Sequence, residues 1–336
     1  MWRCGLSALA IALVAVSGSA TAQTFTTGLA PSAQTPTAPP WPSKPIRVIV
    51  PFSPGSGTDI VARIVTEQLS TQFGQIIIIE NRIGAGGTIG VGAVAKAEAD
   101  GYTLLIHSTT HVVAASTYSN PGYDTVRDFA GITPLVSLPN VLVVAANKYK
   151  TVKQLVDAAN AARGSMNYAS VGAGSAAHLN GERFRQAAGI ELQHIPYKGG
   201  PEGLTAIIKG DVDFFFIPLP AARGLIAAGN VAAIAVSGSK RASALPDVPT
   251  TVEAGFPNSD YNFWVGMFAP VGTPKAIVER LHAETTKALK EPAVVEKLAK
   301  IGGDPQPMQP ADFDSFVRKE IEVNAALVKA ARLQVN

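Results

Sequence analysis

The stretch that most restricts what this chain can become is Ile46–Arg63, IRVIVPFSPGSGTDIVAR. It opens on an apolar, β-branched run of the kind that makes a buried strand. Pro51 and Pro54 stop that strand, and Gly55-Ser56-Gly57 turns the chain. Thr58 and Asp59 are capping types, and Ile60, Val61, Ile64, Val65 and Leu69 recur at helical spacing. A strand that feeds a helix through a glycine turn leaves N–H groups unpaired at the positive end of the helix. That is a physical site for a small anion, phosphate or carboxylate.

The alternation continues along the chain. Gln75–Glu80 is expected to be a strand, Gly84-Ala85-Gly86-Gly87 a turn, and Thr88 the cap of a short helix running to Lys96. Tyr102–Ile106 is a third strand, ending in His107-Ser108-Thr109-Thr110. Strands separated by helices imply a parallel sheet with ligands at the strands' C-terminal ends. The middle third repeats the plan. Strands are expected at Val141–Ala146, Asn167–Ser170, Glu191–Ile195, Val212–Ile217 and Val231–Val236, with helices at Val152–Ala162, Ala176–Ala188, Pro201–Lys209 and Ala221–Ala228. This unit carries its own glycine turn, Gly172-Ala173-Gly174-Ser175, ahead of a helix. After a strand at Phe263–Ala269 the chain turns helical, with Pro274 and Pro292 placed where first-turn prolines are tolerated. Two such units joined by more than one crossing would enclose a ligand between them.

The N-terminus narrows the anion. Arg3 is followed by the apolar Leu6–Val16 and then by Ala20-Thr21-Ala22, the pattern of a cleaved export leader with Gln23 as first mature residue. The apolar run is well short of the roughly 20 residues that span a bilayer. Cys4, the single cysteine, precedes that run, so a lipoprotein anchor does not fit and the mature chain has no thiol. Residues 23–43, rich in Pro, Thr and Ala, are expected to be a flexible linker. A formal net charge of +3 and 7% aromatic residues give no basic field for nucleic acid.

Several chemistries can be weighed against these residues. Gly55-x-Gly57-x-x-Ile60 with Glu80 mimics a dinucleotide fingerprint, but Ile60 occupies the place of the third small residue. GSGTD lacks the Gly-Lys-Ser/Thr ending of a phosphate loop. An exported serine hydrolase would need Ser175 with His178, yet the pattern is not G-x-S-x-G and no third member is evident. His107 and His111 are expected to be polar loop residues near a cleft, without carboxylates to complete a metal site. No cofactor or metal is expected. The binding reading needs only the N–H groups of Gly55–Thr58 and Gly172–Ser175 and the hydroxyls of Ser53, Ser56, Thr58, Ser108, Thr109 and Ser175. Asp59 is expected to brace its loop, while Asp213 serves equally as a ligand acceptor or a strand-end brace.

Seven segments in order carry a resemblance: VPFSPGSGTDIVAR (Val50–Arg63), ENRIGAGGTIG (Glu80–Gly90), DGYTLL (Asp100–Leu105), NYASVGAGSAAHLNGERF (Asn167–Phe184), PYKGG (Pro196–Gly200), LPDVPTTVEAGFP (Leu245–Pro257) and WVGMFAPVGTP (Trp264–Pro274). The chain resembles the substrate-binding proteins of tripartite tricarboxylate transporters, the Bug receptors, from Trp41 to about Leu333. The resemblance implies a two-lobed α/β periplasmic binding protein of the Venus-flytrap type, each lobe a mostly parallel sheet flanked by helices. It implies no enzyme but a receptor that closes on a small organic acid and delivers it to membrane permease subunits; a receptor serving a membrane sensor is the alternative, and a monomer is the default expectation. Residues 44–142 and 264–336 would form one lobe and 143–263 the other. The ligand carboxylate would be held by the loop Phe52–Asp59, opposed by Gly172, Gly174 and Ser175, with Ser108 and Thr109 lining the cleft. Two departures stand out: Ser56 where the family usually has a second glycine, and Ile83 where it usually has proline.

Overall fold

The computed structural model describes residues 41–333, besides the isolated Ala15. The expected leader and the linker up to residue 40 lie outside the described residues. In chain order the first half contains β1 (Ile46–Val50), α1 (Gly57–Phe73), β2 (Ile77–Asn81), a 3-10 turn (Ala85–Gly87), α2 (Thr88–Ala95), β3 (Thr103–Ser108), α3 (Thr110–Thr117) and β4 (Phe129–Leu138). Then come β5 (Asn140–Ala145), α4 (Val152–Ala162), β6 (Asn167–Ser170), α5 (Ala176–Ala188), β7 (Gln193–Pro196), α6 (Gly200–Lys209), β8 (Phe214–Pro218), α7 (Leu219–Ala227) and β9 (Val231–Val236). The chain closes with β10 (Phe263–Pro270), α8 (Lys275–Ala288), α9 (Pro292–Lys300), β11 (Asp304–Pro305) and α10 (Pro310–Ala330).

These strands make two sheets, ordered β11-β4-β10-β3-β1-β2 and β7-β6-β8-β5-β9. The chain passes between them at Pro139 and again between β9 and β10. Asn140–Leu142, which the resemblance assigned to the first lobe, lie in the second sheet, and Phe263, assigned to the second, lies in the first. β1, β2 and β3 are parallel, as are β6, β7 and β8. The remaining pairs with β5, β10 and β11 are antiparallel. The middle unit is thus a mixed sheet, with β6, β7 and β8 parallel and β5, the crossing strand, running against β8 and β9.

Packing follows the strand period. Val141, Val143, Phe215 and Ile217 point into one core, while Leu142, Val144, Phe214 and Phe216 point into another on the opposite face. In the first sheet Val48, Val50 and Ile106 pack with Val61, Val65 and Leu69 of α1.

Three elements escaped the sequence: β4, α3 and the two-residue β11. β4 contains Gly131 and Pro134, which argue against a strand. The ladder tolerates Pro134 opposite Gly266, beside a register shift between Val265 and Gly266. α3 is rich in β-branched residues, and burial holds it helical. His107 and His111 are accordingly not loop residues: His107 lies in β3, His111 in α3, and both are buried. The end of the expected linker is also ordered. Trp41 packs edge-on against Phe73 at 5.5 Å, and Arg280 donates to its carbonyl.

Candidate functional site

The turn between β1 and α1 is built from within. Ser56 caps the helix, its hydroxyl accepting from the Asp59 N–H at 3.3 Å. Asp59 then uses both carboxylate oxygens. Oδ2 accepts from Gly55 N–H (2.9 Å) and Arg63 Nε (2.9 Å), and Oδ1 from Arg63 Nη2 (3.0 Å) and Asn81 Nδ2 (2.9 Å). Burial would raise the Asp59 pKa, but these bonds overcome it and hold the group below the usual carboxylate value. Gly55, at φ 80°, takes the left-handed conformation that lets its N–H turn back to Asp59.

A cavity opens at this turn, between the two sheets. The first half contributes Phe52, Ser56, Gly57, Thr58, Ser108 and Thr110, with Phe263 from β10. The second half contributes Asn140, Val171, Ala176, Ala177, Gly200, Ile217, Pro218 and Ala221. The enclosed space is about 30 Å³, far below the roughly 300–1,000 Å³ usual for small-molecule sites, so the two halves stand close together here. The first residues of α1, α3, α5 and α6 all line it. Among the described residues no charged side chain does. Such an arrangement can hold an anion on fixed N–H groups and partial helix charges, with apolar walls around its carbon skeleton.

The halves meet closely here. A Cβ on Gly57 would stand 2.6 Å from Pro218 Cβ, so only glycine fits that approach. Thr110 Oγ1 accepts from Ala176 N–H at 3.0 Å, and the Tyr118 hydroxyl donates to Ala173 carbonyl at 2.7 Å.

The expected site residues divide by position. Phe52, Ser56, Gly57, Thr58 and Ser108 line the cavity. Ser53 and Gly55 belong to the same turn but not to the lining, Ser53 facing Gly199 of the second half. Asp59 does not line the cavity, its carboxylate being taken up by Gly55, Arg63 and Asn81. Thr109 is also structural, its Oγ1 accepting from Trp264 N–H at 2.9 Å. Ser175 is the α5 cap, accepting from His178 N–H at 3.3 Å, and the lining begins one residue later, at Ala176. Gly172 faces a neighbouring cleft lined also by Gly86 and Tyr118, and Gly174 packs on Tyr118 and Thr117. Asp213 is far from the turn, bonded to Lys148 and to the Asn167 N–H at the start of β6. It braces a strand end.

Ser175 and the His178 ring are not hydrogen-bonded to each other as a nucleophile and its base. The Ser175 hydroxyl is committed as a helix cap. His178 Nδ1 accepts from Gly174 N–H (3.1 Å), and the ring stacks on His194 with centroids 3.6 Å apart. Burial lowers the two imidazoles to about 4 and about 3. They support the Gly172–Ser175 loop from beneath.

Sequence reasoning missed Thr110 and Asn140. Thr110 was hidden because α3 was not recognised. The available signal for Asn140 was a lone amide after proline in VSLPNVLVV, inside an otherwise apolar run.

Comparison with known proteins agrees with this architecture. Residues 61–333 match the family described as tripartite tricarboxylate transporter family receptor. The chain is 38% identical over 298 residues to the UPF0065 protein in the tcbD–tcbE intergenic region of Pseudomonas sp. (strain P51), covering 88% of this chain and 89% of that one. The solved R. palustris Rpa4515 with adipate is similar at TM-score 0.85 and 33% identity, covering 88% of this chain and 99% of the other. MatC (Rpa3494) from Rhodopseudomonas palustris with bound malate is similar at TM-score 0.82 and 30% identity, over 86% and 100%. Other similar structures are those of periplasmic binding proteins. The fold is the two-lobed α/β binding-protein fold, and the chain belongs to the tripartite tricarboxylate transporter receptor family.

Proposed function

We propose that this chain is a periplasmic, monomeric, non-catalytic receptor that binds a small organic carboxylate between its lobes and presents it to a membrane permease. The observation that carries the reading is the cavity where the starts of α1, α3, α5 and α6 converge without a charged side chain. The first N–H groups of a helix have no acceptor within it, so Gly57, Thr58 and Ala177 supply donors by position. A carboxylate is the anion such donors satisfy at least cost. The adipate and malate of the two solved relatives support that choice. Permease delivery is the family's role. Export rests on the Leu6–Val16 leader pattern.

Thermal-shift screening of the chain from Gln23 against mono-, di- and tricarboxylates, amino acids and aromatic acids tests the proposal. A binding acid at a hundredfold excess over its dissociation constant adds about 2.7 kcal/mol of stability. No response to any acid, with turnover of an ester instead, would overturn it.

A further inference from the structure

A second cleft, of about 530 Å³, lies where the chain passes between the lobes. Both crossings wall it, Leu138 and Pro139 on one and Gly238–Ser243 with Asn262 on the other, together with α9 and β11. Pro139 and Asn262 line this cleft, whereas the residues that follow them, Asn140 and Phe263, line the inter-lobe cavity. The crossings therefore separate the two spaces. Gly238–Ser243 is loop, following β9. Among the described residues its N–H groups find no protein acceptor, and the Ser239 and Ser243 hydroxyls and the Lys240 ammonium make no hydrogen bond either. Arg241 is seated by contrast, Nε donating to Glu253 at 2.8 Å and Nη1 to the Pro246 carbonyl at 3.0 Å. Its charge is answered there, which leaves Lys240 as the cation of the lining with no carboxylate partner among the described residues. Asp304, exposed on β11, is the carboxylate of the lining.

We propose that this cleft is a second anion site, which binds phosphate or the phosphate group of a small monoester through Lys240 and the donors of Gly238–Ser243. Successive free N–H groups beside hydroxyls and an ammonium are the means by which proteins hold an oxyanion. Together these donors outnumber the roughly four lone-pair sites of a carboxylate, so a phosphate uses them more fully. Leu138, Val295 and Ala299 give an organic body an apolar wall. The site is separate from the inter-lobe cavity and does not rest on the function proposed above.

Calorimetric titration of the wild-type protein with inorganic phosphate and with glycerol 3-phosphate, at constant ionic strength, tests this. At least one should bind saturably. Tighter binding of the ester shows that the organic body meets the apolar wall, and tighter binding of inorganic phosphate shows a site for the free ion. Lys240→Gln should weaken binding at least about tenfold, the worth of a charge-assisted hydrogen bond. Lys240 is exposed, so the variant keeps the fold. Asp304→Asn should tighten binding, since a like charge leaves the lining. Lys198→Gln, at the cleft beside the inter-lobe cavity, should leave it unchanged. No saturable binding of either compound overturns the proposal, as does a response that sodium chloride reproduces or an affinity that survives in Lys240→Gln. Binding lost in Lys198→Gln and kept in Lys240→Gln places the ion between the lobes and overturns it too. Failure of every carboxylic acid in the thermal-shift screen overturns the carboxylate reading alone, a distinguishable result.

Discussion

Gly199 and Ser53 face each other across the two lobes so closely that a Cβ on the glycine would stand 2.9 Å from the serine Cβ and nearer still to its Oγ. The Ser53 hydroxyl is buried there without a partner. Gly199 has φ −173°, extended backbone that any residue adopts, so the glycine is required by the contact and not by its conformation.

That relationship predicts a closure defect without a folding defect. Gly199→Ala should leave ligand-free stability within about 0.5 kcal/mol of the wild type, because the lobes can part. Affinity for whichever acid gives the largest thermal shift should fall at least about tenfold, roughly 1.4 kcal/mol. Adding Ser53→Gly removes the clashing atoms and should restore binding. Unchanged affinity in the single variant, or no rescue in the double, would show that this contact does not limit closure.

Asp59 is expected to stabilise the turn and not to touch the ligand. Its pKa is depressed in the folded state, so its contribution is full above the ordinary value of 3.8 and is lost as pH falls through the lower folded value. Asp59→Asn should therefore cost about 1–3 kcal/mol at pH 7, measured by urea denaturation, and the gap to wild type should shrink at strongly acidic pH. A gap that widens on acidification would contradict the assignment.

The buried histidines act in a higher window. Desolvation lowers His111 to about 3, His178 to about 4 and His194 to about 3, against 6.5 when unfolded. The unfolded chain takes up protons that the folded one refuses, so stability is lost as pH falls from about 6.5 towards those values. Each group removes up to about 1.4 kcal/mol per pH unit. Urea midpoints at pH 7.5, 6, 5 and 4.5 should decline steeply, and His194→Gln should flatten the slope. A flat wild-type profile would be incompatible with neutral, buried imidazoles.

Trp41 should behave as part of the folded body. Its ring rests on Phe73 and on Tyr102, 6.0 Å between centroids in the latter case, and it is half-buried. Trp41→Ala should cost about 2 kcal/mol, below the range for a fully buried tryptophan. A melting temperature identical to wild type would instead return residues 41–43 to the linker.

Local signals in the sequence reached some elements with their ends intact, such as α4, α5, β6 and β9. Each has clear periodicity bounded by a cap, a glycine or a proline. Where local chemistry conflicted with burial, the prediction failed. Pro134 and Gly131 hid β4, and β-branched residues hid α3, because only packing against β10 and α10 could outweigh those preferences. The direction of β5 was also unreadable, since the sequence does not say which partner a strand will choose.

The first turn shows the same division. The sequence alone determined that Ile46–Arg63 is a strand, a glycine turn and a helix start. It also determined that Ser56 could cap, because capping depends on residues three apart. Only the tertiary structure decided which groups of that turn face the cavity. Asp59 is turned away by Arg63 and Asn81, while Thr110, Asn140 and Ala177 arrive from distant parts of the chain. Helix-end donors are a local property of the backbone, but a closed cavity is made by the contact of two lobes, and no spacing within one segment encodes it.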